Sequence, residues 1–553
     1  MVIIMKILLV AIDSKYIHTN MALRYLKANL DFESTLIEFT IKDDIKLIKS
    51  AILKHQPDII GFSVYLWNVD LIIQLAPLIK AESSAIIVLG GPEVSYDSEF
   101  FIDNNSIDFI ISGEGEIAFN ELIKSISDHS SFSSISGLTY RENHQIKKNP
   151  TVDIINLNEL KNPYHFPEDI AKLPTRIQYI EMSRGCPFHC SYCLASLEKN
   201  VRFFDIERVK NDILYLMSHG AKTFKFLDRT FNYKIENALE IFDFIINNHL
   251  PGTQFQFEIT GDLLSEKIIE YVNSHAPHGL IRFEIGIQST NELTNLSVNR
   301  FQNNEKLFQN IRSIQKGNVI DLHLDLIAGL PYENLERFSK TFDEVFSLYP
   351  KELQLGFLKM LRGTKIRREA EKYGYAYHTE PPYEMISNHD LFPDDLKTIH
   401  QVEDVLEVFW NKGFMPQTMR YILSTESSAF QFMYRFSIYL LANQFNFHRY
   451  QRFDLFIKIS EFMKHSNLHN EQFMFEITNE YLLKSKIKPH IWWDNYLPKH
   501  QKTELFNNII KHHPSIKLDD LYKYSVITRF NNCTRIYLFY PKEIRVLIDD
   551  NNY

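Results

Sequence analysis

From residue 5 to about 128, short apolar runs alternate with amphipathic ones. KILLVAI, STLIEFTI, DIIGFSVYL, AIIVLGGP and DFIISGEGE are near-continuously apolar, and stretches such as HTNMALRYLKANL and DDIKLIKSAILKH repeat apolar residues at helical spacing. A parallel strand covered by helices on both faces has no solvent side, so it needs no polar alternation. The pattern therefore predicts an α/β fold with a doubly wound, Rossmann-like sheet over residues 1–130. Residues 131–172 lose this periodicity, hold several prolines and contain one hairpin pattern, ISGLTYRENHQIKKN; they read as a linker with minor structure. Over residues 173–372 the alternation resumes with IQYIEMS, TFKFLD, QFQFEIT, IRFEIGIQS, DLHLDLIAGLP and LQLGFLKM, six βα units for a partial barrel or a second open sheet. Residues 373–553 are rich in Phe, Tyr and His and mostly helical in period, with DLKTIHQVEDVLEVFWNKG and AFQFMYRFSIYLLANQF as examples. They end in the β-like SVITRF and TRIYLFYP around a turn at Asn531-Asn532.

Composition adds little to this division except by exclusion. An apolar content of 45% is ordinary for globular domains, and 553 residues suit about three of them. The formal charge of -9, with acids and bases interspersed, argues against general phosphate binding and makes nucleic acid an improbable partner. The apolar N-terminus lacks a small-residue cleavage site and runs straight into a strand-helix pattern, so it is read as structure rather than a signal peptide. No stretch approaches the ~18 apolar residues of a membrane span. Four cysteines in this length make no disulfide framework, and a reducing, cytoplasmic setting is expected.

Three of those four cysteines lie in RGCPFHCSYC, directly after an apolar strand. Cys186, Cys190 and Cys193 are spaced C-x3-C-x2-C, and three thiolates on one loop can ligate three irons of a [4Fe–4S] cluster while leaving the fourth iron open. The competing reading is a Cys3His zinc site with His189, although zinc ligands usually come as two separated pairs and His189 adjoins Cys190.

RGCPFHCSYC resembles the signature of radical S-adenosylmethionine (SAM) enzymes, with Tyr192 in the aromatic position. The resemblance implies that the amino and carboxylate groups of SAM chelate the open iron. It also implies that one electron from the cluster cleaves SAM to a 5′-deoxyadenosyl radical, and that the βα units form a partial (β/α)6 barrel. In FLDRTFN the glycines of the family's usual Gly-Gly-Glu-like turn are missing, so the contact to the SAM amino group would fall to backbone carbonyls and Asp228. By similarity to the coproporphyrinogen-oxidase-like branch, Glu258, Gln288, Ser289, Arg300 and Asp325 become contacts to the amino, ribose and carboxylate groups of SAM. A charged residue ending a strand can equally solvate a loop or cap a helix.

In the first sheet, the turn AIDSKYIHTN lacks G-x-G-x-x-G, which disfavours a dinucleotide. Glycines follow the later strands instead. Ser63 in GFSVYLWN, the run Gly90, Gly91, Pro92 and Glu93, and the run Gly113, Glu114, Gly115 and Glu116 fall where a doubly wound sheet binds its ligand. The GFS…VLGGPE…GEGE series resembles the cobalamin-binding domain that precedes the radical SAM domain in a large subgroup, so these positions are expected to contact cobalamin. The D-x-H-x-x-G motif that binds cobalt through His is absent; Asp13 and His18 stand five positions apart, and His18 reads as a helix-start polar residue. The alternative for this domain is a sheet that has lost its ligand and serves as a dimer face.

The last region, a mostly α-helical C-terminal domain, shows no metal or nucleophile pattern. Phe430, Phe432, Met433 and Phe436 read as core, PHIWWDNY as a packed lid or interface, and the lone Cys533 as a buried filler. What the resemblance implies overall is a cobalamin-dependent radical SAM enzyme that methylates an unactivated carbon of a small-molecule or peptide substrate, with flavodoxin or ferredoxin as electron donor. Radical rearrangement or cyclisation without methylation, and a cobalamin or SAM sensor without turnover, are the alternatives. A tRNA methylthiolation enzyme would need a second three-cysteine cluster, and residues 1–185 contain no cysteine.

Overall fold

The structure is a computed structural model and describes residues 5–154, 156–198, 200–494, 497–530, 533–539 and 544–549. It divides into two compact units, residues 1–337 with 355–393, and residues 338–354 with 394–553.

In the first unit, β1 (Ile7–Asp13), β2 (Ser34–Thr40), β3 (Ile59–Ser63), β4 (Ile86–Gly90) and β5 (Phe109–Ile111) are parallel. Successive side chains of β1 serve opposite faces. Leu8, Val10 and Ile12 join one core with Ile60, Phe62 and Ile72, while Ile7, Leu9 and Ala11 join the other with Phe119 and Leu122. Two cores on one strand explain why its sequence is apolar throughout. The sheet order is β2-β1-β3-β4-β5-β6-β7. The order reverses between β1 and β3, so a crevice opens at their carboxyl ends.

Here the structure differs from the division expected from sequence. The hairpin of β6 (Leu138–Glu142) and β7 (Gln145–Lys148) joins the first sheet antiparallel to β5, extending it beyond residue 130. Tyr140 and Leu138 are buried in the same core as Phe119, which gives the hairpin its reason to dock. The chain after it is also fastened. Asp169 accepts from Arg24 at 2.7 and 2.8 Å, and Lys172 and Arg176 both donate to Glu38 at 2.7 Å.

The second sheet of this unit has the order β15-β14-β13-β12-β11-β8. Its strands are β8 (Ile177–Ile180), β11 (Thr223–Phe226), β12 (Gln254–Ile259), β13 (Ile281–Gln288), β14 (Asp321–Ala328) and β15 (Glu352–Phe357). Along β12 and β13, buried positions alternate with half-buried ones. Phe224, Phe255, Phe257 and Phe283 are fully buried on one face, where Phe224 stacks on Phe255 with centroids 4.5 Å apart. The alternate positions carry Lys225, Gln256, Glu258, Arg282, Glu284, His323 and Asp325, so the other face is polar and charged. The short pair β9 (Ser183–Arg184) and β10 (Arg202–Phe203) closes the cysteine loop, and β16 (Ala376–Tyr377) pairs with β17 (Met385–Ser387).

The second unit is helical, as expected, with Phe430, Phe432, Met433 and Phe436 fully buried. It ends in an antiparallel sheet of β18 (Ser525–Phe530), β19 (Cys533–Phe539) and β20 (Ile544–Asp549). Trp492 and Trp493 pack edge-on against each other and against Tyr481. The turn at Asn531-Asn532, the end of PHIWWDNY at Asn495 and Tyr496, and the side chain of Cys533 lie outside the described residues.

Candidate active site

Gly185 opens the cysteine loop with φ +95°, and a Cβ there would run into the Asn200 carbonyl, so only glycine lets the two ends of the loop approach. The loop is then pinned from several sides. Ser191 N–H donates to the Val298 carbonyl at 2.8 Å, and Ile366 N–H to the Ser191 carbonyl at 2.9 Å. Cys186 and Cys190 are buried and Cys193 half-buried. Burial pushes the Cys186 and Cys193 thiols up, and the Arg229 guanidinium works against it at both. Thiols that are costly to ionise alone are suited to metal, which takes the thiolate and supplies the compensating charge. Among the described residues no three His, Cys, Asp or Glu side chains converge on one ion.

Asp228, expected to contact a cofactor, is buried and differently employed. Its oxygens accept from Met182 N–H at 3.0 Å and Ser183 Oγ at 2.5 Å, fixing the strand that leads into Gly185. Burial raises its carboxyl to about 7, against the hydrogen bonds from Ser183 and Met182. In the unfolded chain it titrates at an ordinary carboxylate value, so between about pH 4 and 7 the folded state holds the extra proton. Stability from this group is therefore present below pH 4 and lost as pH rises towards 7. Denaturant unfolding of the apo-protein should show that decline, and Asp228→Asn should flatten it. An unchanged pH profile in Asp228→Asn would contradict this assignment.

The remaining expected SAM contacts fall at the carboxyl half of the barrel strands. Glu258 on β12 keeps about a third of its side chain exposed, 3.9 Å from Arg229, and burial raises its carboxyl. Asp325 on β14 accepts from His323 Nε2 at 2.8 Å. Gln288 ends β13 with φ +68° and its Oε1 is buried without a hydrogen-bond partner, an acceptor available to a ligand. Ser289 differs: it is fully buried, donates to Glu333 at 2.6 Å and accepts from Asn291 N–H, which makes it a brace for the turn. Arg300 is partly engaged within the protein. It donates to the Gly286 carbonyl at 2.5 Å and to Gln302 Oε1, and lies beside Tyr192 and Cys190.

At the carboxyl edge of the first sheet, Ser63 is buried and accepts from Asn20 Nδ2 at 2.9 Å. The same amide donates to Asp13 at 3.2 Å, whose carboxyl burial pushes up to about 6. Gly90 ends β4 with space around it, the nearest neighbour of an added Cβ being the Ile111 carbonyl at 3.7 Å. Gly91 has φ +116°, and an added Cβ would lie 2.5 Å from the Val64 carbonyl oxygen. Its lack of a side chain is thus already used by the protein's own backbone. Pro92 starts the short helix Pro92–Ser95, where Glu93 is buried against the Tyr383 hydroxyl and 3.3 Å from Arg362. Gly113, with φ +80°, donates its N–H to Ser95 Oγ, and Gly115 caps the helix Glu116–Asp128 against Leu26.

Glu114 and Glu116 were expected at a ligand, and the structure gives them to arginines. Glu114 accepts from Arg184 at 3.0 Å, Arg202 at 2.8 Å and Ile154 N–H at 2.7 Å, while Glu116 pairs with Arg184 at 2.7 Å. Burial opposes ionisation of Glu114, but Arg202, the Ile154 N–H and Arg184 outweigh it and hold the carboxyl below its usual range. Arg184 immediately precedes Gly185 and Arg202 follows the loop, so the turn after β5 grips both ends of the cysteine loop. The sequence reading missed these two arginines and Arg229. Their one sequence signal was position, flanking the cysteines or inside FLDRTFN. Near Ser63, the rings of Tyr65 and Trp67 stack with centroids 4.5 Å apart. His18 shares a hydrogen bond with the Tyr179 hydroxyl at 2.7 Å and bridges to Ile177, two residues before the Asn20 cap of the helix Met21–Asn29.

Three family models match the chain: the B12 binding domain over residues 7–123, the radical SAM superfamily over 180–345, and a protein family of unknown function, DUF4080, over 371–536. An uncharacterized methyltransferase of Pyrococcus horikoshii is 31% identical over 215 residues, 37% of this chain and 46% of the relative. The 2-(S-pantetheinyl)-carbapenam-3-carboxylate methyltransferase of Streptantibioticus cattleyicolor is 23% identical over 368 residues, 63% of this chain and 53% of the relative. The chain thus spans about half the length of these curated relatives. Among solved structures, the cobalamin-dependent SAM radical enzyme OxsB with aqua-cobalamin and SAM bound superposes with a TM-score of 0.60 at 18% identity, covering 93% of this chain and 82% of that one. The doubly wound first sheet and the six-stranded second sheet expected from sequence are therefore the observed fold, apart from the hairpin that extends the first sheet. No helix among the described residues is long and apolar enough to cross a membrane.

Proposed function

We propose that this chain, a B12-binding-domain radical SAM protein with a C-terminal domain of unknown role, is an enzyme that transfers a methyl group to an unactivated carbon. When bound, the cluster, SAM and cobalamin supply one-electron cleavage of SAM and a cobalt centre able to carry a methyl group. Cys186, Cys190 and Cys193 would hold the cluster, and Glu258, Gln288 and Asp325 would line SAM. The cobalamin would lie along the carboxyl edge of the first sheet. With Glu93, Glu114 and Glu116 engaged by arginines and Tyr383, that edge offers Ser63 and Gly90 together with the backbone of the Gly91–Pro92 and Gly113–Gly115 turns.

The observation that best supports this reading is the grip of Glu114 and Glu116 on Arg184 and Arg202. It fixes the cysteine loop to the ligand edge of the first sheet inside one compact unit, as an enzyme needs if both cofactors act on one substrate. Burial of the thiols and of Asp228 keeps the loop dry. The setting would be a reducing cytoplasm, with a flavodoxin or ferredoxin delivering the electron.

The test is anaerobic incubation of fully loaded protein with methyl-labelled SAM and an extract of small molecules and peptides. The expected result is label carried on carbon in a new product, formed together with 5′-deoxyadenosine. Formation of 5′-deoxyadenosine with a rearranged but unlabelled product would favour the rearrangement reading, and retention of both cofactors without any SAM cleavage would favour the sensor.

A further inference from the structure

Phe242, on the helix Ile235–Asn248, packs on Phe257 of β12 and Phe283 of β13 with ring centroids 5.0 and 5.6 Å away. The helices therefore cover the phenylalanine face of the second sheet, and its charged face is the concave one, turned into the barrel. On that face Lys225 of β11 reaches over β12 and donates to Glu284 of β13 at 2.6 Å. Arg282 donates to His323 Nδ1, and His323 Nε2 donates to Asp325 at 2.8 Å. A guanidinium only donates, so His323 carries its proton on Nε2 and is committed to both neighbours. The Lys225–Glu284 pair is wetter: its two side chains stay 25% and 16% exposed, so water reaches it.

The pair lies towards the first sheet. β8 is the edge strand beside β11, and the loop after β1 is laid along it. Ile177 N–H donates to the Ile17 carbonyl at 2.8 Å, and His18 Nδ1 shares a 2.7 Å hydrogen bond with the Tyr179 hydroxyl. Burial raises the Tyr179 phenol to about 12, and the Asp13 and Glu284 carboxylates add to the rise. Burial lowers His18, and Lys15 and Lys225 lower it further. Tyr179, His18, Lys225 and Glu284 thus act on one another where the two sheets meet. With SAM at the barrel strand ends and cobalamin along the first sheet, a substrate between the two cofactors meets this wall.

We infer that the wall selects a hydrophilic substrate, a small molecule with hydrogen-bond donors and acceptors close to the carbon that is methylated. Lys225 and Glu284 would bind it from the barrel, and the Tyr179–His18 pair from the side of the first sheet. A lipid-like substrate would strip water from Lys225 and Glu284 and give back no hydrogen bonds. Hydroxyl, amide or ionic groups replace that water. The inference rests on the proposed methyl transfer and names the class of substrate, which that reading left open.

The experiment incubates fully loaded protein with methyl-labelled SAM and, separately, the water-soluble and the chloroform-soluble fraction of a cell extract. Label should appear on carbon in a product of the water-soluble fraction. Label carried only into the chloroform-soluble fraction would overturn the inference and leave the methyl transfer standing. No SAM cleavage with either fraction would overturn the proposed function, and this inference with it. In Lys225→Met the ratio of labelled product to 5′-deoxyadenosine should fall roughly tenfold or more, as for loss of a charged hydrogen bond. Exchanging the pair, Lys225→Glu with Glu284→Lys, keeps the bridge but reverses what it offers a substrate. The ratio should stay low in that variant at wild-type iron content; recovery of the wild-type ratio would make the pair a brace of the barrel and overturn its role. If the exchanged protein does not fold, Tyr179→Phe decides, since it removes only the hydroxyl: a lowered ratio is expected, and a wild-type ratio contradicts the inference.

Discussion

Anaerobically reconstituted Cys190→Ala protein should form no 5′-deoxyadenosine and should retain little or none of the wild-type cluster. In the proposed ligand set each of the three thiols serves one iron, so removing one leaves two irons open and takes an anionic ligand from a buried site. Cys190 is 8% exposed and lies beside the Arg300 guanidinium and Tyr192. Without the cluster, that guanidinium loses part of the negative charge it faces. The loss should be confined to the loop. The ties from Ser191 to Val298 and Ile366 and the salt bridges of Arg184 and Arg202 do not involve the sulfur, so far-UV circular dichroism should match the wild type. Four irons per chain and normal SAM cleavage in Cys190→Ala would contradict the ligand set, and stoichiometric zinc without iron in the wild type would replace it.

Gly91→Val should lower the stability of the apo-protein by about 3 kcal/mol, before any cobalamin is added. The residue has φ +116°, where L side chains are strained, and its Cβ would lie 2.5 Å from the Val64 carbonyl oxygen and 2.9 Å from Val64 N. Val64 cannot move aside easily, because its N–H donates to the Gly90 carbonyl at 2.7 Å and continues the β3–β4 pairing. A β-branched side chain makes the clash worse. Chemical denaturation of the apo-variant measures the effect, and near-normal stability would return Gly91 to the ligand-contact reading. Gly90→Ala is the informative companion. Its Cβ meets nothing closer than 3.7 Å, so the apo-protein should be unharmed, and weakened cobalamin retention in that variant alone would place the ligand at the end of β4.

The strands and helices of the first unit were legible because their apolar patterns answer to simple burial. β1 packs Leu8, Val10 and Ile12 on one side and Ile7, Leu9 and Ala11 on the other, which reads in sequence as an unbroken apolar run. The cysteines were legible because their spacing alone carries chemistry. Charged residues at strand ends were not, since sequence names them without saying whom they face. Glu114 and Glu116 sit in the turn where a ligand contact was expected, but arginines some 70 to 90 positions later occupy them. Asp228 went to Met182 and Ser183 by the same long-range geometry. The hairpin at residues 138–148 was visible as a hairpin; that it would extend the first sheet depended on Leu138 and Tyr140 finding the core of Phe119. The polar face of the barrel was hidden for a different reason. Lys225, Glu284 and His323 come from three strands: the parallel register sets Glu284 beside His323, and Lys225 reaches Glu284 across β12 at 2.6 Å.

The central claim is that one chain holds a radical SAM cluster and a cobalamin together. Its most direct test is to reconstitute the wild-type protein anaerobically with iron, sulfide and hydroxocobalamin, remove unbound material, and quantify iron, cobalt and SAM cleavage in the same sample. The account predicts four irons and one cobalamin per chain, a cobalt spectrum without a histidine-bound signature, and reductant-dependent formation of 5′-deoxyadenosine. Protein that retains the cluster but no cobalamin, or cobalamin but no cluster, would contradict it.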